Sequence, residues 1–277
     1  MLQIKHFLFF VVLFVVAHSN DYCEPKLCKF NNQVKTHIGC KNDGKFVEST
    51  CPKPNDAQMI DMTEQRKNLF LKIHNRLRDR LARGSVSNFK SAAKMPMLKW
   101  DNELARLAEY NVRTCKFAHD QCRSTKACPY AGQNLGQMLS SPDFLDPNYV
   151  IKNITREWFL EYKWANQGHT DKYMTGSGKN GKAIGHFTAF IHEKSDKVGC
   201  AVAKLTNQQY NMKQYLVACN YCYTNMLKEG IYTTGKPCSQ CQGKKCDSVY
   251  KNLCDASEKV DPIPDIFKQS RQQRSRK

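Results

Sequence analysis

Fourteen cysteines in 277 residues are the side chains with the most chemistry to offer. Their number is even, so complete pairing leaves no thiol for a nucleophile. Cys238 and Cys241 stand three positions apart, with Cys246 and Cys254 close behind, a pattern that suits either zinc or two bridges. The N-terminus decides between these uses. Lys5 and His6 precede an apolar run from Phe7 to Ala17, and Ala17 and Ser19 are small residues at the positions a signal peptidase reads. Residues 1–19 therefore read as a secretory signal, and the oxidising compartment it leads to favours disulfides. Other reactive patterns are weak. The sequence has no G-x-S-x-G elbow and no H-E-x-x-H pair, and Gly176 to Gly178 lacks the helix context of a nucleotide loop. Asn153, Ile154 and Thr155 form a glycosylation sequon, usable if Asn153 is exposed. His74 lies on an apolar stripe beside Ile73 and Leu77, where a hydrogen-bonded structural imidazole is the expectation.

The background is that of a folded, basic, extracellular chain. It is 41% hydrophobic and 25% charged, with a formal charge of +18. Such a balance forms a core and attracts anionic partners: cell-surface glycans, anionic lipids or acidic host proteins. Nucleic acid is excluded, because no basic stretch carries interleaved aromatics and a secreted protein does not meet it. No apolar run after the signal approaches the roughly 20 residues of a membrane span. Lys268, Arg271, Arg274, Arg276 and Lys277 mark a basic flexible tail over 261–277.

The elements that must position any site follow from periodicity. Residues 20–60 hold Cys23, Cys28, Cys40 and Cys51 among polar residues, which predicts an arm held by bridges. Asp61 and Glu64 fit a capping box, after which Leu69, Phe70, Ile73, Leu77 and Leu81 predict a helix ending at Gly84. A second helix follows Asp101, and a third runs from about Tyr149 to Tyr162. The period then changes from four to two. His186 to Ile191, Lys197 to Leu205 and Gln214 to Tyr221 read as strands, the last two forming a hairpin in which Cys200 opposes Cys219. On this reading His192 shares His186's face about 20 Å along the strand, too far to share a metal. These elements give an α+β domain over 61–234 and a bridge-organised segment over 235–260.

Four stretches then resemble one family. Gly185-His-Phe-Thr188 running to Val198-Gly-Cys200 is similar to the first signature of the CAP superfamily of cysteine-rich secretory, antigen 5 and pathogenesis-related proteins. Tyr215 to Tyr221 resembles the second, while His74-Asn75 with Arg78 and Gly132-Gln-Asn-Leu135 resemble two further motifs. The arm from Cys23 to Cys51 is most similar to the insect antigen 5 branch. The resemblance implies a three-layer α-β-α sandwich with a central antiparallel sheet, a disulfide-stapled arm and a C-terminal hinge. It also implies the bridges Cys23 with Cys40, Cys28 with Cys122, Cys51 with Cys115 and Cys200 with Cys219. Likeness to the cysteine-rich secretory branch adds Cys128 with Cys222, Cys238 with Cys246 and Cys241 with Cys254. Where that first signature usually continues with Gln and a Val-Trp pair, this chain has Ala189 and Ile191-His192.

The same resemblance implies a cleft lined by two histidines and two acidic residues. They fall on His119, His186 and Glu161, while the fourth position holds Gln133. Two imidazoles suit zinc or copper, and a carboxylate can ligate or orient bound water. The competing account is a hydrogen-bonded polar cluster without metal. An amide at the fourth position removes a general base, which disfavours a two-carboxylate hydrolase. The function implied is a secreted, non-enzymatic salivary, venom, gut or reproductive protein. It would bind a lipid, sterol or other small amphiphile, or a host or cell-surface target, with a divalent metal in the cleft. The rivals are a metal-dependent hydrolase or redox enzyme using His119 and His186, and a receptor or ion-channel ligand.

Overall fold

The computed structural model describes residues 21–30, 32–52, 56–265 and 267. The expected signal and most of the expected tail lie outside them. The arm makes a short hairpin, β1 (Lys29–Phe30) and β2 (Gln33–Val34), beside the stacked rings of Tyr22 and His37. A short strand β3 (Gln58–Met59) leads into α1 (Glu64–Ala82). The cap of α1 is Thr63, whose hydroxyl accepts from Arg66 N, rather than Asp61 in a capping box. After β4 (Lys99–Trp100), α2 (Asn102–Val112) starts where Asp101 accepts from Leu104 N. β5 (Gly132–Ser140) crosses to α3 (Pro147–Leu160), capped by Asp146. The short helices α4 (Gln167–Asp171) and α5 (Gly185–Phe190) precede the long hairpin of β6 (Lys197–Asn207) and β7 (Met212–Tyr221).

The sheet runs β3-β6-β7-β5, all antiparallel, with β4 pairing parallel to β6. Cys200 faces Cys219 in the β6–β7 register, as their constant-sum spacing predicts. Alternation sorts the two faces. Val198, Cys200 and Val202 join Tyr215, Val217 and Tyr221 in the core under α1, α3 and α5, while Ala201, Ala203, Leu216 and Ala218 pack with α2. The layers are therefore helix, sheet and helix. Alanines and Gly199 on the second face let α2 lie close: a Cβ on Gly199 would stand 2.1 Å from Ala105 N and 2.4 Å from Asp101 O. Backbone cannot yield as a side chain does, so Gly199→Ala is expected to cost about 3 kcal/mol or more in urea unfolding.

One expected strand is a helix. Residues 185–190 alternate, which imitates a strand, yet Phe187, Phe190 and Ile191 also recur at helical spacing and all are fully buried in the core. What decides it lies far off in sequence: Glu161 accepts from the backbone N–H groups of His186 and Phe187, capping α5 from 25 and 26 residues away. His192 consequently does not stand 20 Å along a strand from His186. It is fully buried just beyond α5, its ring 4.6 Å from that of Tyr223 and its Nδ1 accepting from Lys194 N.

The fourteen cysteines form seven bridges: 23–40, 28–122, 51–115, 128–222, 200–219, 238–246 and 241–254. The last two organise a segment that is docked on the domain. Leu253 is fully buried, Cys254 N donates to Met95 O, and buried Glu258 pairs with Lys94. The first residues of the expected tail are docked too. Asp265 lies 2.8 Å from Lys194 Nζ, and Phe267 stacks on Tyr130.

His74 is structural, with Nδ1 donating to Phe70 O, Nε2 accepting from Tyr221 Oη, and its ring stacked on Phe190. Burial pushes both His74 and His192 down to about 3. Unfolded imidazoles take up protons near 6.5, whereas these two wait until about 3. Their contribution to stability is therefore full above about pH 6.5 and falls between 6.5 and 3, at ~1.4 kcal/mol per pH unit for each. A lower urea midpoint at pH 5 than at pH 7 is expected, and equal midpoints would contradict it.

Candidate functional site

One end of the sheet opens into a cleft of about 470 Å³, lined by His119, Arg123, Gln133, Asn134, Tyr173 and His186 among others. The two histidines arrive on different elements. His186 is the second residue of α5, while His119 lies in the loop after α2 that Cys115 anchors to Cys51. Gln133 is the second residue of β5, placed opposite Asn220 of β7 by the strand register.

Each imidazole is held through Nδ1. His186 Nδ1 stands 2.6 Å from Glu161 Oε1, while Glu161 Oε2 accepts from His186 N at 2.9 Å and Phe187 N at 3.1 Å. Both oxygens of Glu161 are engaged in holding α5 and its histidine. His119 Nδ1 stands 2.8 Å from Gln133 Oε1. Crowding by the protein is the main influence on the His119 ring and lowers its pKa, against the opposing pull of the Gln133 contact. Glu161 already accepts two backbone N–H groups, so His186 Nδ1 faces it as the donor, and in the neutral ring it is Nε2 that keeps the lone pair.

Sequence reasoning missed the residues behind Gln133. Its Nε2 donates to Asp120 Oδ2 at 2.8 Å and to Asn220 Oδ1 at 3.0 Å. Asp120 also accepts from Arg123 Nε at 2.8 Å and from Asn111 Nδ2 at 2.9 Å. The signal was present, since an acid beside His119 with an arginine three residues on is a local ion pair. Asn134, next to Gln133, points to the other face, where its Nδ2 donates to His186 O and contacts Tyr221 Oη.

The remaining sequence candidates fall elsewhere. Asn153 is half-buried on α3, its Nδ2 donating to Tyr149 O, and Thr155 of the sequon is fully buried. Two groups with metal-ligand geometry, Cys28 with His37 and Cys122, and Cys241 with Cys254 and Glu258, each take two of their three members from one disulfide. A disulfide sulfur is no thiolate, so neither is a metal centre.

A three-layer α-β-α sandwich with this paired-histidine cleft and a disulfide-stapled arm defines a recognisable class of extracellular, bridge-stabilised domain. Residues 71–221 match the cysteine-rich secretory protein family, CAP, and the chain belongs to that family. It is 44% identical over 209 residues to "Antigen 5 like allergen Cul n 1" of Culicoides nubeculosus, covering 73% of this chain and 91% of that one. It is 38% identical over 241 residues to "Venom allergen-1" of Aedes aegypti, covering 87% and 89%. Among solved structures, that of NaASP2 with Zn2+ is 29% identical with a TM-score of 0.57, covering 74% of this chain and all of that one. The protein is thus an extracellular CAP protein of the insect antigen 5 and venom allergen kind, and no helix among the described residues is long and apolar enough to cross a membrane.

Proposed function

We propose that the protein is a secreted, non-enzymatic binding protein whose cleft takes a divalent cation on His119 Nε2 and His186 Nε2. The observation that carries this is the shared use of Nδ1: both imidazoles are anchored there, to Gln133 and Glu161, on the walls of one cleft. Anchoring the other nitrogen by a hydrogen bond is how proteins orient metal-binding histidines. Two neutral nitrogen donors fit zinc or copper(II), and the zinc-containing relative supports zinc. Water or a bound ligand would complete the coordination. Glu161 and Asp120 have their oxygens engaged in holding the histidines and their supports, which favours binding over a hydrolase that would use either as its base.

Amphiphile binding is a second reading with its own observation. A neighbouring cavity of about 550 Å³ shares Arg123, Thr224 and Asn225 with the cleft and is lined by Lys29, Phe30, Tyr130, Met226, Leu227 and Phe267. Its size and apolar lining suit a small anionic amphiphile. Native mass spectrometry of protein purified from secretion without chelators tests both readings, with the double variant His119→Ala/His186→Ala alongside. A metal-sized increment confined to the natural protein is the expected result. An increment of equal size in both would overturn the metal site, and an amphiphile-sized adduct in both would support the second cavity.

A further inference from the structure

Sequence alone makes Gln133 a loss: a side-chain amide where the family implies an acid. The structure puts a carboxylate one hydrogen bond behind it. Asp120 Oδ2 accepts from Gln133 Nε2 at 2.8 Å, and Gln133 Oε1 faces His119 Nδ1 at 2.8 Å. We infer that Asp120 and Asn220 act through Gln133 as positioning residues that commit His119 to its Nδ1–H tautomer, turning the Nε2 lone pair to the cleft.

The argument is one of forced roles. Asn220 Nδ2 donates to the carbonyl oxygen of Leu104 at 3.0 Å, an obligate acceptor, so its Oδ1 faces Gln133. Asp120 Oδ2 also receives Asn111 Nδ2 at 2.9 Å, an amide nitrogen fixed by its donation to Ala118 O at 3.1 Å, and Oδ1 receives Arg123 Nε at 2.8 Å, so both oxygens face donors and accept. Gln133 Nε2 thus sits between two acceptors, 8% exposed and fixed on β5 opposite Asn220, and its amide has one orientation that satisfies both. That orientation presents Oε1 to His119, which must then donate from Nδ1. The ordinary ambiguity of amide flips and imidazole tautomers is removed by the network itself. A carboxylate, an amide and an imidazole in series reproduce the carboxylate–histidine support of metal sites with a neutral spacer. His119 and His186 thereby acquire the same tautomer by different means, one through Gln133 and one directly from Glu161.

The consequence for metal affinity rests on the metal reading, but the tautomer does not. Long-range 1H–15N spectra of the metal-free, 15N-labelled protein report it directly, with His119 assigned by comparison with His119→Asn. The wild type is expected to show Nδ1–H at His119. Asp120→Leu takes the acceptor away from Gln133 Nε2 and is expected to shift His119 toward Nε2–H. Gln133→Met removes the acceptor altogether and is expected to do the same. Zinc titration of Asp120→Leu should show a weakening of about 10- to 100-fold. An Nε2–H tautomer in the wild type, or an unchanged one in Asp120→Leu or in Gln133→Met, would overturn the inference. Should Asp120→Leu fail to fold, Asp120→Ala removes the same acceptor and gives the same readout. A wild type that shows Nδ1–H and binds no zinc would remove the metal reading alone.

Discussion

Arg78→Met is expected to lower the unfolding free energy by about 4 kcal/mol, the scale of stranding a buried, fully bonded ionic group. Arg78 is fully buried on α1 and donates to four carbonyl oxygens, those of Pro96, Phe190, His192 and Ser195, at 2.8 to 3.2 Å. Methionine fills much of the same space but leaves four buried acceptors without their donor. The site should feel it as well. Phe190 closes α5 and His192 follows it, so the guanidinium sits at the C-terminal end of the helix whose second residue is His186. Urea unfolding checks the stability, and a change under about 1 kcal/mol would show that the carbonyls find other partners.

Glu161→Gln tests the other end of α5. The carboxylate accepts three N–H groups there, two from backbone and one from His186 Nδ1. An amide presents one oxygen and one donor group, so either a backbone N–H is left facing a donor or His186 must move its proton to Nε2 and accept at Nδ1. We expect a loss of about 2 kcal/mol in stability, as for a lost helix cap. Zinc affinity should weaken about 100-fold, because His186 no longer has a fixed Nδ1 acceptor. Chemical unfolding and zinc titration read the two effects separately. Full zinc affinity in a destabilised variant would mean that Glu161 supports the helix but not the ligand.

Much of this organisation was legible in the sequence where the signal was local. The helix after Asp101 and the β6–β7 hairpin follow from caps and alternation, and Cys200 opposite Cys219 follows from the turn. The helix at Gly185 was not, because its N–H groups are satisfied by Glu161 and its carbonyls by Arg78, partners that no local window contains. β5 was missed as a strand for a related reason: Gly132-Gln-Asn-Leu135 lacks β-branched residues and is a strand because β7 supplies its ladder. For the cleft, His119, His186, Glu161 and Gln133 were identified by resemblance, and Asp120 and Asn220 by the hydrogen bonds alone. Burial of Leu253 likewise could not be read from a segment whose composition is polar, since the surface it covers belongs to residues around Met95.

Isothermal titration of zinc into chelator-treated full-length protein, beside the folded His119→Ala/His186→Ala double variant, tests the central claim most directly. One zinc per chain for the wild type and none above background for the variant, with unchanged unfolding of the metal-free forms, is the predicted result. The same isotherm for both proteins would contradict the claim that this cleft holds a metal through its two histidines.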